Sequence, residues 1–482
     1  MMRWLVSLGL SLAFTQCAKA QHFTDQRIQE IDQLIETRLD ETRIPGAAVV
    51  LVEDGRIVHT RGFGLAEIET GTPATSDTVF AIGSVTKSFV SNTLLQLERD
   101  ALIDLEAPVI AYLPAFQSAS KAMSDTITVR QLMEHTSGFS MYDGNRNQTN
   151  TRRTDDALAK VSAQTMKYKL NRPAGRSFEY SNANYEVLGH LIESVTGASF
   201  PIAIEEWIFE PLEMNRSGVL NDGSPKTATA YRFVLSTPQA FEFSPGAALG
   251  PKGGVYTTAE DMGLYLIALM NARSPIASWD SSWASGPDMT VESLYGPGWM
   301  VSQSNLGPLV KHNGMNGGYS ALAGFAPESG LGFAIMANAS QGLVAGDIPA
   351  LTEDAFAVAF DRPIQGLRGH QSAWVQLLLI GAMLIGLAIW IAMFLLNTIA
   401  GALNTRSNAL LGVSQIMLPG AILAAIAWLV IDQIPRQFGL PLEAIRLFVP
   451  DIGWVLTFLG YGALSFLVVR SACLLLARHG KR

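Results

Sequence analysis

The sequence predicts an exported domain of mixed α/β type, with one sheet built by strands from both of its ends and covered by helices, followed by three membrane-spanning helices. Strand-like runs lie near both ends of the first 370 residues and helix-like stretches lie between them, which is typical of a single sheet packed under helices. The predicted boundaries are a signal peptide at residues 1–20, the domain at 21–365 and the membrane region at 372–477.

Residues 1–20 have the three parts of a secretory signal: a positive charge at Arg3, an apolar stretch at Trp4–Phe14, and small residues at Ala18 and Ala20. Export of the following domain is the expected consequence. Cys17 could instead carry a lipid, although Gln16 before it is larger than such processing sites usually accept.

The first and last elements of the domain are both strand pairs. After Thr24, apolar residues recur at helical spacing and predict an amphipathic helix. Ala47–Val52 and Ile57–Thr60 then flank a turn and predict a hairpin. Near the other end, Gly318–Ala326 and Gly330–Ala339 flank a polar turn as a second antiparallel pair. Both pairs are expected in the same sheet.

Three apolar stretches beyond the domain, at about 374–396, 409–431 and 452–476, are each long enough to cross a bilayer. An exported N-terminus places the domain outside and the C-terminus in the cytoplasm. Loop charges agree with the positive-inside rule, since the predicted inner segments contain five Lys and Arg residues and the outer segment contains Arg436 and Arg446. No ionisable residue lies at mid-depth, so these helices are interpreted as an anchor in the inner membrane.

Composition excludes several classes of protein and of site. The net charge is −8 and charged residues make up 16% of the chain, whereas binding to a nucleic-acid backbone needs clustered Lys and Arg. Nucleic acid is therefore not an expected partner, and the sequence says nothing of protein partners. Cys17 and Cys473 are too few for a disulfide framework or a thiolate metal cage.

The search for a nucleophile first excludes two common hydrolase motifs. The sequence has no Gly-x-Ser-x-Gly and no His-Glu-x-x-His, and its seven histidines lack metal-ligand spacing. Neither a metal nor a cofactor is implied. Ser-x-x-Lys occurs twice, at Ser84 to Lys87 and at Ser118 to Lys121. The first copy joins a strand-like run to the start of a helix, whereas Ser118 lies in a polar, loop-like stretch.

At the start of a helix, Ser84 and Lys87 share one face, so the amine can reach the hydroxyl. A lysine kept neutral by burial or by a neighbouring cation can take the proton of a serine and make it a nucleophile. Alone, the tetrapeptide fits an N-capping serine and a surface lysine equally well.

Two further motifs follow in order, Tyr180-Ser181-Asn182 before a helix and His312-Asn313-Gly314 at the start of the last strands. Together the three motifs resemble those of the serine β-lactamase and penicillin-binding protein superfamily, specifically its class C-like branch. The resemblance extends over residues 24–362, with further matches around 132–138, 253–261 and 295–299. It implies a five-stranded antiparallel sheet flanked by helices, an all-helical subdomain, and an active site between them.

The resemblance also implies a role for each motif residue. Ser84 would be acylated, with Lys87 and Tyr180 sharing the base and proton-shuttle role. Asn182 would bind a substrate amide, and the backbone N–H groups of Ser84 and of Met315, which follows Gly314, would form the oxyanion hole. His135 would be structural. The residues assigned to substrate binding are Asn182, His312, Gly314 and Met315.

His312 departs from the family, because many relatives have a permanently charged lysine there. A free histidine titrates near pH 6.5, so His312 is expected to hold a substrate carboxylate only when it is protonated or donates a neutral hydrogen bond. Strong β-lactamase activity is therefore less expected. The sequence also lacks the Glu-x-x-Leu-Asn segment of class A enzymes, so any deacylation would use Lys87 and Tyr180 again.

The sequence thus predicts a membrane-tethered serine hydrolase that acts outside the membrane on an amide or ester of a small molecule or peptide. The first substrate hypothesis is a D-amino-acid peptidase of the cell-wall type. An esterase or a β-lactamase of the same fold is the second. A different class also fits, namely a sensor that binds or is acylated by a ligand and signals through the membrane helices, but a receptor needs no base.

Overall fold

The computed structural model describes residues 21–116, 120–221, 224–290, 292–342, 345–367, 381 and 421–479. The predicted signal peptide, Ser118 and nearly all of the first predicted span lie outside these residues, as do the first 12 residues of the second span, 409–420. The third predicted span lies within them.

The described helices and strands fall into a larger unit up to residue 367 and a C-terminal helical segment from residue 421. The helices are α1 Asp25–Thr42, α2 Thr86–Arg99, α3 Lys121–Ser124, α4 Val129–Met133, α5 Met141–Gly144, α6 Ala157–Thr165, α7 Asn182–Thr196, α8 Phe200–Ile204, α9 Gly250–Gly253, α10 Ala259–Met270, α11 Ile348–Ala359, α12 Ala421–Gln437, α13 Leu442–Phe448 and α14 Pro450–His479. The strands are β1 Gly46–Glu53, β2 Arg56–Glu67, β3 Thr72–Pro73, β4 Phe80–Ala81, β5 Gly218–Val219, β6 Tyr231–Val234, β7 Thr237–Ala240, β8 Val255–Thr257, β9 Asp288–Thr290, β10 Ser293–Tyr295, β11 Met300–Ser304, β12 Gly307–Asn316, β13 Tyr319–Ala326 and β14 Leu331–Ala337.

The main sheet joins the two ends of the domain, as predicted from the sequence. Its order is β3-β2-β1-β14-β13-β12-β11-β10-β9, and β1 pairs antiparallel with β14 in the register Ala47 to Ala337. Both predicted strand pairs, β1 with β2 and β13 with β14, are confirmed.

The prediction of five strands is wrong, because the described sheet has nine. Five strands, β2-β1-β14-β13-β12, lie side by side at its centre. The short strand β3 extends one edge, and the successive hairpins of β11, β10 and β9 extend the other. These added strands are two to five residues long, too short for a clear alternation of apolar and polar residues in the sequence.

Strand β1 shows how the sheet is held between two apolar layers. All eight of its residues are buried, and successive side chains point to opposite faces of the sheet. Val49 and Leu51 pack with α1 and α11, while Val50 and Val52 pack in the larger core that contains α2 and α10. An uninterrupted apolar run is therefore required here, since neither face meets water.

Helix α1 begins where the sequence predicts, with the Thr24 hydroxyl accepting a hydrogen bond from the Arg27 N–H. Its apolar face, Ile31, Ile35 and Leu39, is buried in the core on the outer side of the sheet.

Helices α2 to α8 form the other half of the domain, and their apolar residues share one core with the inner face of the sheet, on which α10 packs directly. The nucleophile candidate Ser84 lies in a 3-10 turn, Gly83–Val85, that joins β4 to α2. This turn lies beside β12 at the junction of the sheet and the helical half. The junction is the place where groups from the two halves can meet.

The C-terminal segment folds as a small helical unit, in which Val430, Leu442, Ile445 and Leu456 pack together. Within the described residues, no single helix satisfies a length-and-apolarity criterion for crossing a bilayer. Two bent pairs satisfy it jointly: Asn182–Thr196 with Phe200–Phe209, bent by 80°, and Ala421–Gln437 with Leu442–Phe448, bent by 64°.

Candidate active site

The turn that carries Ser84 depends on Gly83 and on the close approach of strand β12. Gly83 has a φ of +52°, which favours glycine, and a Cβ there would lie 2.4 Å from the Met315 backbone nitrogen. A Cβ on Gly314 would lie 1.8 Å from the Ile82 carbonyl oxygen and 3.1 Å from the Ser84 backbone nitrogen. The two glycines therefore let the two backbones approach closely, so that the nitrogens of Ser84 and Met315 lie near each other, as an oxyanion hole would need.

Strand β12 extends past its neighbour β11 toward the site. The last residue pair between the two strands is Met300 with Lys311. Beyond that pair, residues 312–316 of β12 have no strand partner on this side among the described residues. Their backbone edge is therefore open toward the site.

Lys87 lies one helical turn after Ser84 and is fully buried. Its Nζ is 3.0 Å from Ser84 Oγ and donates a hydrogen bond to the Lys252 carbonyl oxygen at 2.7 Å. Burial, and next the positive charge of Lys252, hold the pKa of Lys87 well below its usual value, with Glu186 opposing the shift. A lysine whose pKa is lowered in this way loses its proton more readily and can then accept the serine proton.

Tyr180 approaches the same oxygen from the helical half, and its hydroxyl donates to Ser84 Oγ at 2.8 Å. Burial raises the pKa of Tyr180, although the bond to Ser84 opposes the shift. The phenol therefore stays protonated at neutral pH. The resemblance assigned Lys87 and Tyr180 a shared role, and these pKa directions suit Lys87 to act as a base and Tyr180 to act as a proton donor.

Asn182 begins helix α7 and is 7% exposed. Its Nδ2 donates to Asn145 Oδ1 at 2.8 Å, while its Oδ1 has no hydrogen-bond partner in the described part of the chain. Because a buried oxygen without a partner is costly, Asn182 Oδ1 is suited to accept a hydrogen bond from a substrate N–H.

His312 is brought to the site, but not as the charged or donating group expected from the sequence. It is 1% exposed, and burial, with a further contribution from Lys87, lowers its pKa to about 3. Its Nδ1 lies 2.6 Å from the Asn313 carbonyl oxygen, which can only accept, so Nδ1 carries the proton. Nε2 then accepts from the Tyr295 hydroxyl at 3.0 Å. Both ring nitrogens have hydrogen-bond partners, and the burial of the ring differs from the exposure that the expected role as a titrating carboxylate anchor assumed.

His135 supports Tyr180 rather than touching Ser84. Its Nδ1 accepts from the Ser181 backbone N–H at 3.1 Å and lies 3.0 Å from Asn184 Nδ2. Its ring lies 4.4 Å from the Tyr180 ring, centroid to centroid. Burial holds the pKa of His135 well below its usual value. A neutral, packed ring of this kind fits the structural role expected for it.

A buried ion pair lies close to Lys87 and was not predicted from the sequence. Lys252 Nζ lies 2.5 Å from Glu186 Oε1, and both side chains are almost fully buried. Asn147 and Thr165 donate to the other carboxylate oxygen, at 3.0 and 3.1 Å. Glu186 is one turn beyond Asn182 on α7, a spacing visible in the sequence, but nothing there pairs it with a residue 66 positions later.

The site opens into a cleft of about 390 Å³. Ser84, Tyr180, Asn182, His312 and Met315 all line it. Two residues of the C-terminal segment, Leu440 and Phe448, line it as well, and no sequence feature indicated that they would lie here. Among the described residues, no group of three or more His, Cys, Asp and Glu side chains is placed to hold a metal ion.

A family model described as Beta-lactamase matches residues 31–355. Protein flp of Staphylococcus aureus strain N315 is 27% identical over 325 residues, which cover 65% of this chain and 64% of that protein, so the match spans less than two thirds of that relative's length. Penicillin-binding protein 4 of Amycolatopsis lactamdurans is 27% identical over 326 residues, covering 62% of this chain and 82% of that protein.

The solved structure of the octameric penicillin-binding protein homologue from Pyrococcus abyssi is similar in fold. Its TM-score is 0.59 with 24% sequence identity, over 70% of this chain and 78% of that chain. At this identity the likeness shows the fold alone.

Proposed function

The chain belongs to the beta-lactamase family, and on that premise we propose that it is a serine hydrolase that forms an acyl-enzyme at Ser84. The observation that carries the proposal is the position of Ser84 Oγ, 3.0 Å from Lys87 Nζ and 2.8 Å from the Tyr180 hydroxyl. The nucleophilic oxygen therefore lies within hydrogen-bond distance of a base whose pKa is lowered and of a proton donor whose pKa is raised.

In the proposed reaction, neutral Lys87 takes the Ser84 proton as Oγ attacks the substrate carbonyl carbon. The negative charge that develops on the carbonyl oxygen faces the N–H groups of Ser84 and Met315. Tyr180 gives its proton to the leaving nitrogen or oxygen and regains one from the Lys87 ammonium. Water then attacks the ester carbonyl with the same groups acting in turn, which releases the acid and restores Ser84.

The substrate that best fits the cleft is an ester or amide with no charge near His312. Of the described residues that line the cleft, Lys252 alone has a permanent positive charge, and Glu186 neutralises it. No free cation is therefore placed there, within the described part of the chain, to bind a carboxylate. A D-amino-acid peptidase of the cell-wall type is the second candidate, and similarity to a protein named penicillin-binding protein 4 favours it.

Turnover separates these candidates. The purified full-length protein is assayed with p-nitrophenyl esters, with a peptide ending in D-Ala-D-Ala, and with nitrocefin. The proposal predicts the highest kcat/KM for the neutral esters, and Ser84→Ala removes it. Faster turnover of the peptide would favour the peptidase instead. Acylation without turnover of any substrate would favour a ligand-acylated sensor, which needs no complete base and donor system.

We further propose that the protein is tethered to the inner membrane by the three predicted spans, with the catalytic domain outside, and that it lies in the class C-like branch. Exposed aromatic residues on α12 and α14, Trp428, Trp454 and Phe458, support the tether, since such residues are enriched at membrane interfaces. A reporter active only outside the cytoplasm should be active when fused near Gln371 and silent after Arg482. The reverse pattern would contradict the three-span topology.

A further inference from the structure

The C-terminal segment 435–451 lies against the mouth of the catalytic cleft. The Asn145 side chain donates to the Gly439 carbonyl oxygen at 2.9 Å, and the Leu235 N–H donates to the Asp451 carboxylate at 2.9 Å. The Arg436 guanidinium lies 4.6 Å from the centre of the Tyr142 ring. These contacts come from separate parts of the domain, so the segment is seated at several points.

Asn145 connects this segment to the residue assigned to the substrate amide. It donates through Nδ2 to Gly439, and its Oδ1 accepts from Asn182 Nδ2 at 2.8 Å and from Gln148 Nε2 at 2.9 Å. Asn145 is 4% exposed, so little water competes for these bonds. The position of Asn182 is therefore fixed in part by the C-terminal segment.

The segment gives the cleft an apolar side. Leu440 and Phe448 line the same cleft as Ser84. Leu447 also reaches the β12–β13 turn, where a Cβ on Gly317 would lie 2.9 Å from its Cδ1. Two methionines that line the cleft, Met141 and Met315, are both 37% exposed and add flexible apolar surface to it.

We propose that Leu440 and Phe448 are specificity-determining residues that select substrates with an apolar acyl chain. Apolar surface is stabilised by contact with an apolar chain and not by contact with a charged peptide end. This inference rests on the proposed acyl-enzyme function, because it concerns the chain attached to the carbonyl that Ser84 attacks.

The test compares p-nitrophenyl octanoate with p-nitrophenyl acetate on the full-length protein, its Leu440→Ser and Phe448→Ser variants, and Phe438→Ala as a control from the same segment that does not line the cleft. The octanoate-to-acetate ratio of kcat/KM should fall by about tenfold in Leu440→Ser and in Phe448→Ser. A change of this size is at the lower end of what the loss of one methylene contact in an apolar pocket produces. The control should keep the wild-type ratio. Two variants that line the cleft are used, because the test can continue with one of them if the other fails to fold.

The outcomes separate the two proposals. If Leu440→Ser and Phe448→Ser both keep the wild-type ratio while Ser84 is still labelled by a small fluorophosphonate, the role of these two residues in specificity is overturned. The acyl-enzyme function then stands. A wild-type protein that prefers the acetate also overturns that role in specificity. If the wild-type protein is neither labelled nor active on either ester, the proposed function fails and the inference fails with it.

Discussion

Replacing Lys252 by Met should shift the pH at which Lys87 becomes active as a base. In the structure the Lys252 carbonyl oxygen accepts a hydrogen bond from Lys87 Nζ, and the Lys252 ammonium group forms an ion pair with Glu186. The charge of Lys252 lowers the pKa of Lys87, and Glu186 opposes it. Removing Lys252 takes away the repulsion and leaves the carboxylate facing Lys87, so the pKa of Lys87 should rise.

The size of the shift follows from the two charges. A like charge near a titrating group is typically worth a few kcal/mol at an effective dielectric constant of about 20, and about 1.4 kcal/mol corresponds to one pKa unit. The unpaired Glu186 adds to the rise. Because the neutral form of Lys87 is the base, activity on the acid side should be lost at a pH higher by at least about one unit.

The assay is the pH profile of kcat/KM for p-nitrophenyl acetate, whose acid limb reports the base of the free enzyme. Leaving a buried charge unpaired destabilises a protein by about 3 to 5 kcal/mol, so thermal unfolding must accompany each profile. The double variant Lys252→Met/Glu186→Gln removes both charges and should shift the limb less. Lys311→Met, which breaks a lysine–glutamate pair with Glu353, is the matched control. An acid limb unchanged in folded Lys252→Met would refute the reasoning.

Three further predictions concern the site. Tyr180→Phe should lower kcat/KM for the ester by about 10² to 10⁴, the usual contribution of a proton-transfer group, with little change in Tm; a rate close to wild type would exclude a proton-donor role. Since the pKa of His312 is lowered to about 3, it stays neutral from about pH 5 to 8, and KM for a carboxylate-ended peptide and for its amide should vary in parallel over that range; a rise for the acid alone would contradict a neutral His312. Gly314→Ala should abolish acylation, because its Cβ would lie 1.8 Å from the Ile82 carbonyl oxygen, while Gly462→Ala, with nothing within 4 Å, should leave acylation unchanged; acylation that survives the first change would place the oxyanion hole elsewhere.

The parts of the site that sequence predicted well are local. Ser84 and Lys87 are three residues apart at a helix start, so helical geometry alone brings their side chains together. Tyr180 lies 96 positions from Ser84, and only the resemblance of its motif linked the two. The buried pair of Glu186 and Lys252 joins distant positions that no local pattern connects.

Tertiary packing explains where the structure of the site differs from what the sequence predicted. The expectation for His312 used the pKa of an exposed histidine, and the sequence does not show that Tyr295 and the strand would enclose the ring. Leu440 and Phe448 lie between two predicted spans and have no local feature that indicates a cleft. The two central strand pairs were predictable from strand-like runs on either side of a short turn, whereas the short edge strands were not.

Covalent labelling shows whether Ser84 is the acylated nucleophile. The full-length protein is treated with a fluorophosphonate, and the modified peptide is identified by mass spectrometry in wild type, Ser84→Ala and Ser118→Ala. A single adduct on Ser84 is expected, absent in Ser84→Ala and retained in Ser118→Ala. An adduct that persists in Ser84→Ala, or one that maps to Ser118, would contradict the assignment of Ser84.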